Sequence, residues 1–167
     1  MVIIANVRAD NLKPLAGGVT GSDALITPVV TYSYEEEGKL KIDTYTRDNE
    51  QHDVIDVPED AYDDNELLFL LRTIPFEVGY TANFTNVIAT AAKEHIATVT
   101  VVGEEELQVP SGNFDAYKVE FIMAGSKVYF WYAKNKPHYL LKLDSSASVI
   151  LLKDKEELEG EIEGIKE

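Results

Sequence analysis

The side chains with the most direct chemical potential are three histidines and a dense run of acids. His52, His95 and His138 fall in three separate predicted strands, and none is spaced as H-x-H or H-x-x-x-H, which would bring two imidazoles to one metal ion. Residues 35–66 hold 13 acids and three bases but lack the D-x-[DN]-x-[DN]-G pattern of a calcium-binding loop. Hydrogen-bonded histidines and a solvated acidic surface are the favoured interpretations, and we predict no metal site.

Nucleophilic and phosphate-binding chemistry receives little support. The sequence has no cysteine and no G-x-S-x-G elbow, and Ser111 and Ser126 fall in predicted turns. The glycine-rich residues 17–21 lack the preceding strand and following helix that a phosphate loop requires. We therefore predict no catalytic residue and no cofactor. A hydrolase that uses carboxylates, or a Ser/His pair brought together by folding, is the less favoured alternative.

The aromatic residues give the best indication of a binding surface. Successive side chains of a strand point to opposite faces, so Tyr129 and Trp131 share one face of the predicted strand at residues 127–133. In the strand before it, Tyr117 and Phe121 share the apolar face. The candidate ligand-binding residues are Tyr129, Trp131, Tyr117, Phe121 and Arg72. Each has a structural alternative: the aromatic rings as core, and the arginine bound to carboxylates or helix carbonyls.

Short β-like runs separated by turns dominate the chain and predict an antiparallel, meander-like sheet. They lie at residues 29–34, 40–46, 52–57, 80–87, 95–102, 106–109, 114–123, 127–133, 138–143 and 148–152. A helix is predicted at about residues 63–73, because Asp63 and Glu66 form a capping-box pattern, an LLFLL run follows, and Pro75 ends it. The predicted fold class is mainly β: a curved antiparallel sheet or half-barrel with one α-helix, buried because it is apolar nearly all round.

Length and charge limit the organisation and the partners. The 167 residues indicate one domain at residues 1–152, with an irregular Gly/Pro-rich entry segment at 1–28 and an acidic tail or linker at 153–167. The 15 basic and 30 acidic residues give a formal net charge of −15, which disfavours nucleic-acid binding. No apolar run is long enough for a membrane span, and residues 1–5 are too few for a signal peptide. We expect either a cytoplasmic protein or the mature part of an exported one.

Three segments in succession resemble a known family. Residues 62–76 contain an apolar helix followed by L-R-x-x-P, and residues 109–119 read V-P-x-G-x-F-x-A-x-K-V. Residues 130–143 contain W-Y and then P-x-x-L with a lysine two positions on. This order resembles the uncharacterised bacterial domain-of-unknown-function family 3108, from about residue 13 to residue 152.

The resemblance implies a mainly antiparallel β protein that is exported, periplasmic or surface-associated, and it supplies no catalytic residues. We expect no signal peptide in residues 1–5, and at this point the sequence departs from the family pattern. Together with the aromatic-rich sheet, the resemblance predicts a non-enzymatic cell-envelope module that binds an apolar or amphipathic small molecule, such as a lipid-like one. The alternative is a structural or interaction domain with an envelope protein partner.

Overall fold

The fold consists of two compact units. The computed structural model describes residues 2–21, 28–35 and 38–152. The first unit is Met1–Leu71 with Phe84–Ala97, and the second unit is Arg72–Asn83 with Thr98–Glu167. The predicted acidic tail at residues 153–167 lies outside the described residues, and a single domain at residues 1–152 stays a prediction. Within the described ranges, no helix is both long enough and apolar enough to cross a membrane.

The first sheet contains five strands in chain order, and each neighbouring pair is antiparallel. The strands are β1 (Val2–Val7), β2 (Pro14–Thr20), β3 (Val29–Glu35), β4 (Lys39–Tyr45) and β5 (Glu50–Asp56). Buried and accessible side chains alternate along β3 and β4, so that Val30, Tyr32, Leu40 and Ile42 join one hydrophobic cluster. Their richness in β-branched and aromatic residues predicted both strands.

Strands β1 and β2 correct the expectation that residues 1–28 are irregular. Two of the glycines that indicated a break, Gly17 and Gly18, lie inside β2, and Gly17 is opposite Tyr32 in the register of β2 with β3. A Cβ atom on Gly17 would lie 2.5 Å from the ring carbon Cζ of Tyr32 and 2.5 Å from the carbonyl oxygen of Ile4. Glycine is required here because a tyrosine ring approaches the backbone closely, and the strand continues through it.

The second sheet contains seven strands in the order β12-β11-β10-β9-β8-β7-β6. The strands are β6 (Tyr62–Asp63), β7 (Thr81–Ile88), β8 (Lys93–Val109), β9 (Gly112–Met123), β10 (Ser126–Ala133), β11 (Leu140–Ser145) and β12 (Val149–Leu151). The two strands predicted at 95–102 and 106–109 form one strand, β8, because Gly103 stays extended between them. The mainly β fold class is confirmed, whereas the curved sheet or half-barrel stays a prediction.

The predicted helix at residues 63–73 is a short helical segment. One α-helical turn, α1 (Leu67–Leu70), lies between the 3₁₀ turns Asp64–Glu66 and Leu71–Thr73. The capping box is confirmed, but complete burial is wrong. Leu67 and Leu71 are buried, whereas Leu68 is 36% exposed and Phe69 is 61% exposed. Residues four positions apart share one helix face, so a segment this short buries one side only.

Replacing Gly17 with alanine tests the close approach of the Tyr32 ring. The added methyl group must displace the ring or the backbone of β1, so we expect Gly17→Ala to lower the free energy of unfolding by about 1–3 kcal/mol. Gly103→Ala is the control, because a Cβ atom there meets nothing within 4 Å; its effect should stay within about 0.5 kcal/mol. Urea denaturation measures both, and equal effects would contradict this account of Gly17.

Candidate functional site

The predicted ligand-binding residues lie in the second unit but on different faces of the sheet. Directly opposed residues of an antiparallel pair share a face, and Trp131 of β10 lies opposite Lys118 of β9. Trp131 therefore shares its face with Lys118, and it also shares that face with Tyr129, which is two residues away in the same strand. Tyr117 and Phe121 are an odd number of residues from Lys118 along β9, so they lie on the other face. The structure does not bring the predicted residues together into one site.

The rings of Trp131 and Tyr129 are covered by lysines of neighbouring strands. The ammonium of Lys142 lies 4.5 Å from the Trp131 ring centre. That of Lys118 lies 4.9 Å from the same ring and 4.8 Å from the Tyr129 ring. The indole N–H donates a hydrogen bond to the carboxylate of Glu105, and Trp131 is 4% exposed. Cation–π contacts and burial account for this cluster without a ligand.

Aromatic packing also accounts for the opposite face. Phe121 is 3% exposed and meets Phe130 edge to face, with ring centres 6.3 Å apart. Tyr117 stacks on Phe76 at 4.9 Å. These contacts correspond to the core alternative for both residues.

Arg72 binds a loop carbonyl. Its Nη2 and Nε atoms donate to the carbonyl oxygen of Pro137 at 2.6 Å and 3.1 Å, and its guanidinium carbon lies 5.7 Å from the Tyr139 ring centre. The role is structural, but the partner is the carbonyl of a loop and not the carboxylate or helix carbonyl that the structural alternative named. An anion-binding role for Arg72 stays a prediction.

Two of the three histidines, His52 and His138, form separate local contacts. His52 pairs with the carboxylates of Asp43 and Glu50, through Nδ1 at 2.6 Å and Nε2 at 3.3 Å. Nδ1 of His138 lies 2.9 Å from the carbonyl oxygen of Ala133. In residues 2–21, 28–35 and 38–152, no group of three or more His, Asp or Glu side chains is arranged to hold a metal ion.

A cleft of about 240 Å³ lies in the first unit, and none of the predicted ligand-binding residues lines it. Its walls include the apolar residues Leu15, Val57 and Pro58 and the polar residues Arg8, Lys13 and Tyr34. The two cations flank the turn between β1 and β2, within a segment that the sequence indicated to be irregular. The sequence signal that could have indicated this cleft is the pair of basic residues beside a turn in a strongly acidic chain.

A family model described as protein of unknown function (DUF3108) matches residues 7–149. The chain belongs to the DUF3108 family. The match confirms the resemblance seen in the three sequence segments and includes both the cleft and the aromatic clusters. No curated protein and no solved structure matches the chain.

Behind the cleft of this DUF3108 chain, a buried carboxylate binds three donors. The hydroxyl groups of Tyr34 and Tyr32 donate to Asp63 at 2.7 Å and 2.9 Å, and the backbone N–H of Asn65 donates at 2.9 Å. Asp63 is 1% exposed and is the cap of the helical segment. Burial, and then the charge of Asp63, raise the pKa of both tyrosines, so that they stay protonated and continue to donate.

Glu66 completes the capping box, but only one of its two carboxylate oxygens has a hydrogen-bond partner among the described residues. Its Oε1 accepts the backbone N–H of Asp63 at 2.9 Å, whereas Oε2 is buried with no hydrogen-bond partner among the described residues. The side chain borders a void of about 10 Å³ that is otherwise lined by apolar residues such as Val7 and Phe69. Burial raises the pKa of Glu66 to about 7, and it has the same effect on the pKa of Asp64.

The capping acid of the DUF3108 chain should make stability depend on pH. An acid whose pKa is raised by folding destabilises the folded state as it ionises, so stability should fall as pH rises from about 4.5 through 7. Glutamine still accepts the Asp63 N–H but carries no charge. We therefore expect Glu66→Gln to raise the free energy of unfolding by about 1–2 kcal/mol at pH 8 and by much less at pH 5.

Urea denaturation at the two pH values measures this difference. Glu94→Gln, an exposed glutamate in the same unit, is the matched control and should shift stability equally at both pH values. A Glu66→Gln effect that is independent of pH would contradict the desolvated carboxylate.

Proposed function

We propose that this DUF3108 chain is a non-enzymatic binding module for a small amphipathic molecule, which binds in the cleft of the first unit. The observation that carries the proposal is the lining of the cleft. Leu15, Val57 and Pro58 supply apolar surface, and Arg8 and Lys13 bring two positive charges to the same space. Ligand sites typically combine apolar walls with a few polar groups that fix the orientation of the ligand.

The volume of the cleft limits the ligand. At about 240 Å³, it lies below the ~300–1,000 Å³ of a typical drug-sized site. The cleft therefore suits a short-chain molecule, or one end of a longer chain that continues into solvent. By contrast, a ligand that stacks on Trp131 would have to displace Lys118 and Lys142 from its ring, which makes the aromatic face the less favoured location.

A cell-envelope location forms part of the proposal. It is supported by the family resemblance, which implies exported, periplasmic or surface-associated proteins. Fractionation of cells that produce the native protein at its natural level tests this location, and a purely cytoplasmic distribution would contradict it.

A structural or interaction domain is the second candidate function, and it is supported by strand β12. This strand is at one end of the seven-stranded sheet, and its three side chains are 56%, 56% and 41% exposed although all are apolar. An apolar edge strand is a template for pairing with another chain. Crosslinking of the protein in envelope extracts tests this role, and a partner bound at β12 should be lost in the Ile150→Lys variant.

Titration with hexanoate and with hexanol tests the binding module directly. Both molecules carry a short apolar chain, and an amphipathic site should bind at least hexanoate saturably in the millimolar range. Amide chemical shifts of isotope-labelled protein give both affinity and location. We expect the perturbed amides to lie at residues 8–15, at 34, 35 and 38, and at 57–61.

Leu15→Asp is the matched variant for the apolar wall and should weaken binding of both probes, because it places a charge beside their alkyl chains. Saturable shifts around Trp131 instead of the cleft would move the site to the second unit. No saturable shift with either probe would contradict the proposed function.

A further inference from the structure

Backbone hydrogen bonds within one turn fix the positions of Arg8 and Lys13. The Arg8 N–H donates to the Lys13 carbonyl oxygen at 2.8 Å, and the Leu12 N–H donates to the Arg8 carbonyl oxygen at 2.9 Å. These bonds close the turn between β1 and β2, and Pro14 follows directly as the first residue of β2. Both residues line the cleft. The two positive charges are thus positioned by a hydrogen-bonded turn.

The direct contacts of the Lys13 ammonium are with neutral groups. Its Nζ atom donates to the carbonyl oxygen of Ala61 at 3.3 Å and lies 3.9 Å from the centre of the Tyr62 ring. No carboxylate in the described part of the chain lies within ion-pair distance of it. Burial lowers the pKa of Lys13, although the charges of Asp60 and Glu66 oppose this shift. An ammonium that is partly desolvated and unpaired favours an anion from outside.

The other polar groups of the cleft limit the charge of that anion. Glu35 is already paired with Lys41 at 3.3 Å, and Glu59 is exposed at the cleft wall. The Tyr34 hydroxyl donates its only hydrogen bond to Asp63, so it can accept a hydrogen bond from a ligand but cannot donate one. Among the described side chains of the lining, the cationic donors to an anion are therefore Lys13 and Arg8. The two carboxylates in the same lining repel any negative charge, so a head group with one negative charge is disfavoured less than one with two.

We infer that the cleft recognises the ligand's head group as a monocarboxylate, which is bound by the Lys13 ammonium with the Arg8 guanidinium beside it. This inference rests on the proposed function and specifies its ligand class. A carboxylate is planar, carries one negative charge and accepts hydrogen bonds from both cations. The apolar part of the ligand then lies against Leu15, Val57 and Pro58.

The Lys13→Met variant tests the head-group contact. Methionine keeps most of the apolar stem beside Tyr62 but removes the charge. Because a hydrogen bond to a charged group is lost, hexanoate should bind about tenfold or more weakly, as measured by chemical-shift titration. Hexanol binding should stay unchanged, which also reports that the cleft is intact. Lys13→Arg retains the charge and should keep hexanoate affinity within a few-fold of the parent protein.

Lys93→Met is the matched control, because Lys93 is an exposed lysine at the start of β8 in the same unit. It should leave both affinities unchanged. Equal hexanoate binding by Lys13→Met and the parent protein would overturn the inference, and so would tighter binding of hexyl phosphate than of hexanoate. Failure of both hexanoate and hexanol to bind the parent protein would instead overturn the proposed function itself.

Discussion

The carboxylate of Asp63 is the constraint on which much of the first unit depends. A charge that is 1% exposed is tolerated only when its lone pairs are hydrogen-bonded. Tyr32 and Tyr34 reach it from β3, and the Asn65 backbone reaches it from the helical segment. The same residue also belongs to β6, which pairs in parallel with β7. One ion thus joins a strand of the first sheet, the start of the helix and a strand of the second sheet.

The hydrogen bond from Tyr32 to this carboxylate also restricts the neighbouring strand β2. The Tyr32 hydroxyl must reach Asp63, which draws its ring across β2, and the ring then occupies the space where residue 17 would carry a side chain. On the other side, the Tyr34 hydroxyl is committed to the same carboxylate at the cleft. The glycine in β2 and the donor pattern of the cleft are consequences of one buried charge.

Local patterns in the sequence predicted most elements of the fold. β-Branched and aromatic residues predicted β3 and β4, and the spacing of Asp63 and Glu66 predicted the capping box. The sequence failed where a distant residue decides the local structure. By residue type alone Gly17 predicts a break, whereas the Tyr32 ring packed over it explains why a glycine lies inside the strand. The apolar run at residues 67–71 indicates complete burial, but only Leu67 and Leu71 face the interior.

The candidate site was harder to predict, because it depends on register and on segments far apart in the chain. Alternation placed Tyr129 and Trp131 on one face, but only the pairing of β10 with β9 and β11 brings Lys118 and Lys142 against the indole. The cleft combines the turn between β1 and β2 with β3 and with the segment after β5. No single-sequence pattern connects these segments.

The lysine-covered indole has a practical consequence for measuring this protein. Trp131 is the sole tryptophan of the chain, so the emission excited at long ultraviolet wavelengths originates entirely in the second unit. The first unit contributes tyrosines but no such chromophore. Circular dichroism in the amide region, in contrast, records the strands of both sheets. Comparing the two optical signals during heating separates a molecule that melts in one cooperative step from one whose halves melt independently.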